Sequence, residues 1–132
     1  MKDPNNPCLF CNINETGITY SNNLAYVSND TYPVSKYHCL IIPRRHISDF
    51  FELTEKELLA CYDLIKIIKN DIIKKDREVK GFNLGTNIGK VSGQSILHCH
   101  FHLIPRRNGD VENPQGGVRS VIPKMQHYKR IK

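Results

Sequence analysis

The chain has 132 residues, which fits one domain spanning 1–132, and its 19 Lys and Arg against 13 Asp and Glu give a net charge of +6 that favours anionic partners. No apolar run approaches the roughly 18 residues of a membrane span, and the polar start Met1–Pro7 offers no export signal, so a cytoplasmic location without membrane contact is expected. In that compartment five cysteines, an odd number, read as metal ligands or buried thiols before disulfides.

The elements follow in chain order. Cys8-Leu9-Phe10-Cys11 is a C-x-x-C knuckle in an N-terminal segment, residues 1–16. Two β-leaning stretches, about 17–21 and 24–28, flank a turn at Ser21-Asn22-Asn23. The apolar run from Tyr37 to Pro43 predicts a strand buried on both faces. Thr54-Glu55-Lys56-Glu57 is a capping box that opens a helix running to Asp76, with Leu58, Tyr62, Ile65, Ile68 or Lys69, and Ile72 as its apolar face. Then come a strand (82–87), a glycine-rich loop (88–93), a strand (about 96–105) and a basic tail (107–132) with one β-like piece at 118–122. The order β-β-β-α-β-β predicts an α+β fold: an antiparallel sheet of about five strands with one long helix packed on it.

Three of the six histidines stand at His98, His100 and His102. On a strand this spacing puts all three imidazoles on one face and turns Cys99, Phe101 and Leu103 the other way, into a core. Packing alone does not account for such a row, and clustered ionisable groups mark sites. One ion held by all three is disfavoured, since at about 3.3 Å per residue the outer Cα atoms lie roughly 13 Å apart. Just upstream, Asn87 to Ser95 is rich in glycine (Gly89 and Gly93, with Gly85 before them), and Gln94 and Ser95 add neutral donors. Together they look like a phosphate site.

The pattern Gly93-Gln94-Ser95-x-x-His98-x-His100-x-His102-Leu103-Ile104 resembles the signature of the histidine triad (HIT) family of nucleotide hydrolases and transferases. Asp30 and the stretch His38-x-x-x-Ile42-Pro43-x-Arg45-His46 resemble the family's first nucleotide-binding half. The resemblance implies that His100 attacks the α-phosphorus of a purine nucleotide and forms a nucleotidyl-histidine, which water then hydrolyses. It also implies that His102 contacts phosphate oxygens, that Gln94, Ser95 and Asn87 hold the phosphate and leaving oxygen, that Asp30 accepts the ribose hydroxyls, and that His38 supports the nucleophile. A homodimer is implied as well.

By themselves Cys8 and Cys11 fit zinc, redox chemistry or chance. Some family members and related uridylyltransferases use two cysteines, a histidine at the end of the first half and the first triad histidine. By that resemblance Cys8, Cys11, His46 and His98 form a structural Zn2+ site with no open position for catalytic water. Cys39, Cys61 and Cys99 read as buried small hydrophobes.

Two substrate types stay open: a dinucleoside polyphosphate such as diadenosine tetraphosphate, and a purine nucleoside phosphoramidate. The tail carries Arg106, Arg107, Arg119, Lys124, Lys129 and Arg130, which could meet a longer polyphosphate, and no Trp, which some phosphoramidase-type relatives carry there. These features tilt the expectation to the polyphosphate. The other classes are a regulatory nucleotide binder and a nucleic-acid module, the latter disfavoured because aromatics total 8% and no RNA- or DNA-reading motif is present.

Overall fold

The computed structural model describes residues 6–130, so the outermost parts of the expected N-terminal segment and basic tail lie outside the described residues. Five strands, β1 (Ile18–Ser21), β2 (Ala25–Asn29), β3 (Cys39–Pro43), β4 (Val79–Gly85) and β5 (Phe101–Arg107), form one sheet in the order β1-β2-β3-β5-β4. Every neighbouring pair is antiparallel. One long helix, α1 (Glu55–Lys75), connects β3 to β4. The expected fold class and element order are therefore observed. No described helix is long and apolar enough to cross a membrane.

Local chemistry accounts for the joints. Asn22 turns the chain between β1 and β2, its Oδ1 accepting from the amides of Leu24 and Ala25 at 3.0 and 2.9 Å. Its Nδ2 donates to the Ala60 carbonyl at 3.0 Å and ties that turn to α1. At the helix start the capping box is complete: Thr54 Oγ1 accepts from the Glu57 amide and Glu57 Oε1 accepts from the Thr54 amide. A cap of this kind stabilises a helix by about 1 kcal/mol.

The sheet buries both faces. On one side Val27, Cys39, Ile41, Cys99, Phe101 and Leu103 meet α1 through Cys61, Leu64, Ile68 and Ile72. On the other, Tyr26, Leu40 and Ile42 are covered by Phe10, with Cys8, Ile13 and Ile96 beside it. All five residues of β3 are buried, as the unbroken apolar run predicts. Cys39, Cys61 and Cys99 are buried too, and burial pushes each thiol up to about 12.

Three sequence expectations are corrected. The buried face of α1 is Glu57, Cys61, Leu64, Ile68 and Ile72, while Leu58 and Tyr62 are exposed. Ile68 and Ile72 of the expected face are buried and Ile65 packs against the core, so the difference lies in the first turns, where Cys61 and Leu64 are buried in place of Leu58 and Tyr62. β5 starts at Phe101, not near residue 96, so His98 and His100 precede the hydrogen-bonded strand. The alternation survives regardless: Cys99, Phe101 and Leu103 face α1, while His98 and His100 touch Phe10 on the other face. The β-like piece expected at 118–122 is a 3-10 helix, Gly117–Val121, opened by Gly116 in a left-handed conformation (φ 89°) where an added Cβ would collide with the Gln126 carbonyl.

Candidate active site

The functional side chains gather where β3, β5 and the N-terminal knuckle meet. Leu40 and His102 are cross-strand partners, which places His102 on the face opposite α1. Two clusters form there, with His100 between them.

The first cluster is Cys8, Cys11, His46 and His98, whose ligand atoms all lie within 4.8 Å of one another. His98 is fully buried, and its Nε2 donates to the Pro43 carbonyl at 2.7 Å. That bond puts the neutral ring's hydrogen on Nε2 and turns the Nδ1 lone pair toward Cys8 Sγ (3.4 Å), Cys11 Sγ (3.5 Å) and His46 Nδ1 (3.1 Å). Cys11 Sγ and His46 Nδ1 are 3.2 Å apart. Bonds of about 2.0 Å to nitrogen and 2.3 Å to sulfur around a tetrahedral ion give edges of about 3.3–3.8 Å. The four residues therefore fit a divalent metal in donor type, tautomer and spacing. Burial holds the His98 ring below its usual pKa, so it stays neutral and able to ligate. Pro43 can supply the carbonyl because β5 starts opposite Ile41, leaving Pro43 without a partner on that side.

The second cluster is Asp30, His38 and His102. His38 Nε2 lies 3.0 Å from His102 Nδ1 and 3.3 Å from Asp30 Oδ2, and His102 Nδ1 is 3.7 Å from the same oxygen. The Val34 amide donates to His38 Nδ1 at 3.1 Å. Asp30 Oδ1 accepts from the Tyr32 amide at 2.8 Å, which aims Oδ2 at the rings. Burial lowers the pKa of His38, against the pull of Asp30. It lowers that of His102 as well, helped by His100 and His38.

His100 is buried, and its Nδ1 donates to the His98 carbonyl at 2.8 Å. In the neutral ring this leaves the Nε2 lone pair free. Thr86 Oγ1 donates to the His100 carbonyl at 2.7 Å and fixes the backbone. Phe10 closes the other side, its ring edge-on to His100 at 4.9 Å and to His98 at 6.0 Å. The buried Tyr26 hydroxyl donates to the Phe10 carbonyl at 2.6 Å, locking the knuckle over the histidines, and burial pushes its phenol pKa up.

The glycine loop is closed upon itself. Gly89 and Gly93 take positive φ, 87° and 97°. Gln94 is buried; its Oε1 accepts from the Gly89 amide at 2.9 Å, and its Nε2 donates to the Ser48 and Ile96 carbonyls at 2.6 and 3.1 Å. Both amide hydrogens are thus committed to backbone, and Gln94 braces the loop against the segment after His46. Asn87 is half-buried and Ser95 exposed at the two ends of the loop.

The basic tail is less free than its composition suggests. Arg106 makes two bonds to Asp110, at 2.8 and 2.9 Å, and one to Asn83 at 2.6 Å. Arg107 pairs with Asp76 at 2.9 Å and with the Lys36 carbonyl at 3.1 Å. Arg119 donates to the Met125 and Gln126 carbonyls. Sequence reasoning missed Phe10, Thr86 and the backbone groups of Val34, Pro43 and His98. Only Phe10 had a signal, as an aromatic inside the knuckle.

A family model for the HIT domain matches residues 12–109, and the chain belongs to that family. An uncharacterized HIT-like protein of Saccharolobus solfataricus is 36% identical over 129 residues, 94% of this chain and 91% of that one. Adenylylsulfatase HINT3 of Arabidopsis thaliana is 35% identical over 109 residues, 80% of this chain but 55% of that protein. An adenosine 5'-monophosphoramidase of Schizosaccharomyces pombe is 30% identical over 105 residues, covering 76% of this chain and 75% of that one. Among solved structures, a zinc-bound histidine triad family protein of Mycobacterium smegmatis superposes with a TM-score of 0.71 at 26% identity, over 81% of this chain and 80% of that one.

Proposed function

We propose that the protein is a nucleotide hydrolase or transferase that attacks a purine nucleotide at the α-phosphate through a nucleotidyl-histidine on His100. The observation that carries this is the His100 Nδ1 bond to the His98 carbonyl, which leaves Nε2 as the nucleophilic lone pair. As Nε2 bonds to phosphorus, the bond from phosphorus to the leaving group breaks and the ring takes positive charge. The His98 carbonyl then accepts a stronger, charge-assisted bond from Nδ1–H. Water attacks next, the P–N bond breaks, and a nucleoside monophosphate and neutral His100 are released. His102 contacts the phosphate oxygens, Asn87 and Ser95 stand at the ends of the loop that meets the phosphate, and Asp30 serves the ribose. Gln94 acts by holding that loop.

Cys8, Cys11, His46 and His98 hold Zn2+, which clamps the knuckle onto the histidine segment; a zinc-bound relative of the same fold supports that choice of metal. The leaving group is small: the named relatives are an adenylylsulfatase and an adenosine 5'-monophosphoramidase, and Arg106 and Arg107 are paired with Asp110 and Asp76. The outer edge of β4, where Leu84 is 48% exposed, is the surface for a second copy of the chain in a homodimer.

The test is a substrate panel of adenosine phosphosulfate, an adenosine phosphoramidate and diadenosine tri- and tetraphosphate, with products identified and alkaline-quenched protein analysed by mass spectrometry. Turnover of the first two with an adenylyl group on His100 is expected. Release of nucleoside monophosphate without a covalent adduct on His100 in any substrate overturns the mechanism; a strong preference for the tetraphosphate overturns the small leaving group.

A further inference from the structure

His38 Nε2 and His102 Nδ1 stand 3.0 Å apart, and one of the two nitrogens carries the hydrogen between them. The backbone decides which. The Val34 amide donates to His38 Nδ1 at 3.1 Å, so that nitrogen must offer a lone pair and the hydrogen of the neutral ring stands on Nε2. His38 therefore donates to His102 Nδ1, and His102 keeps its own hydrogen on Nε2. The geometry points to a one-way hydrogen-bond chain, from the Val34 amide through His38 to His102, in which the Val34 amide and His38 are positioning groups that hold His102 as a neutral Nε2–H donor for the phosphate. The donor's target rests on the reading of His100 as nucleophile; the chain itself does not.

Asp30 shows why an interposed histidine matters. Its Oδ2 lies 3.3 Å from His38 Nε2 and 3.7 Å from His102 Nδ1. With His38 gone, the carboxylate draws the His102 hydrogen onto Nδ1. Nε2 then faces the phosphate as a lone pair, acceptor against acceptor. His38 prevents this by presenting its own N–H to both groups. Burial reinforces the arrangement, because it lowers the pKa of both rings and disfavours the doubly protonated His102 that would break the chain. A fixed neutral donor strengthens its bond as charge builds on the phosphate oxygens, with no proton to rearrange.

The tautomer can be read directly, without substrate, from long-range proton–nitrogen correlations of the full chain labelled at histidine, at a pH of about 8 where neutral rings dominate. Protonated Nε2 and bare Nδ1 on His102 are expected. Protonated Nδ1, or a rapidly exchanging mixture, overturns the proposal. His38→Gln retains a donor at the same place and should keep the His102 pattern, with kcat/KM within about 10-fold of the parent. His38→Leu should move the hydrogen to Nδ1 and lower kcat/KM by about 100-fold, the scale of losing one preorganised donor. A His38→Leu protein that keeps the Nε2–H pattern overturns the chain. A protein that shows the expected tautomer yet adenylates no histidine breaks the functional reading alone.

Discussion

The two clusters flanking His100 look alike as lists of atoms. In one, four contacts of 3.1–3.5 Å link Cys8, Cys11, His46 and His98, and in the other, contacts of 3.0–3.7 Å link Asp30, His38 and His102. By distance alone either holds a metal. They differ in the backbone group behind one ring. Behind His98 stands an acceptor, the Pro43 carbonyl, which takes the ring's hydrogen and leaves a lone pair facing the cysteines. Behind His38 stands a donor, the Val34 amide, which takes the lone pair and leaves a hydrogen facing Asp30 and His102. The first arrangement suits a cation and the second repels one. Proximity of ligand types is therefore not a metal site until the far nitrogen has been accounted for.

That contrast can be broken at several points. The largest effect belongs to the residue between the clusters: His100→Ala should cut turnover by about four orders of magnitude or more while leaving the metal content and the tautomer of His102 unchanged. Retention of a tenth of the activity defeats its role. Next comes metal. About one zinc per chain is expected by elemental analysis, and Cys8→Ser should remove it and lower the melting temperature by about 10 °C or more, since structural zinc contributes several kcal/mol to folding. Asp30→Asn should leave the zinc count as it was. A second equivalent of metal that disappears with Asp30→Asn contradicts the distinction between the clusters.

A smaller effect tests how the first cluster is anchored. Arg45, the neighbour of His46, makes two bonds to Glu57, at 2.9 and 2.8 Å, and one to the Glu52 carbonyl at 2.9 Å. The Arg45 guanidinium holds the buried Glu57 carboxyl down at about 2. A depressed folded-state pKa contributes stability above the unfolded value, about 4.3, and loses it as pH falls toward 2. Glu57→Gln should cost about 1–2 kcal/mol at neutral pH and flatten the acid limb of the stability curve between about pH 4 and 2. Denaturant titrations across that range check it; parallel curves for parent and variant refute the role given to the pair.

How much of this was legible in the sequence follows from how local each feature is. The capping box, both ends of α1 and the two-sided burial of β3 lie within a few residues of their causes, and all appear as expected. The helix face differs only in its first turns, where Leu58 and Tyr62 offer a second apolar stripe and tertiary packing chooses between the two. The alternation of His98, Cys99, His100, Phe101, His102 and Leu103 was readable, but not that the ladder starts midway, since alternation needs an extended chain and no strand partner. The bond from Gln94 to the Ser48 carbonyl, 46 residues away, has no local signal in the sequence. The tautomers were beyond reach, being set by single backbone groups of residues with no chemical signature of their own.

His98 belongs to both arrangements at once: its ring completes the four-residue ligand cluster and its carbonyl accepts from His100 Nδ1 two residues on. For lineages of this fold, that pairing shapes which mutational routes are open. A change at Cys8, Cys11 or His46 removes a ligand atom and leaves both the Pro43 bond and the carbonyl behind His100 in place. Position 98 is different: a replacement must still satisfy the Pro43 carbonyl and keep the backbone path, or the His100 ring loses the bond that orients it. Loss of the cysteines thus need not drag position 98 along, and a chain stripped of its knuckle would still be under selection to keep a donor side chain there.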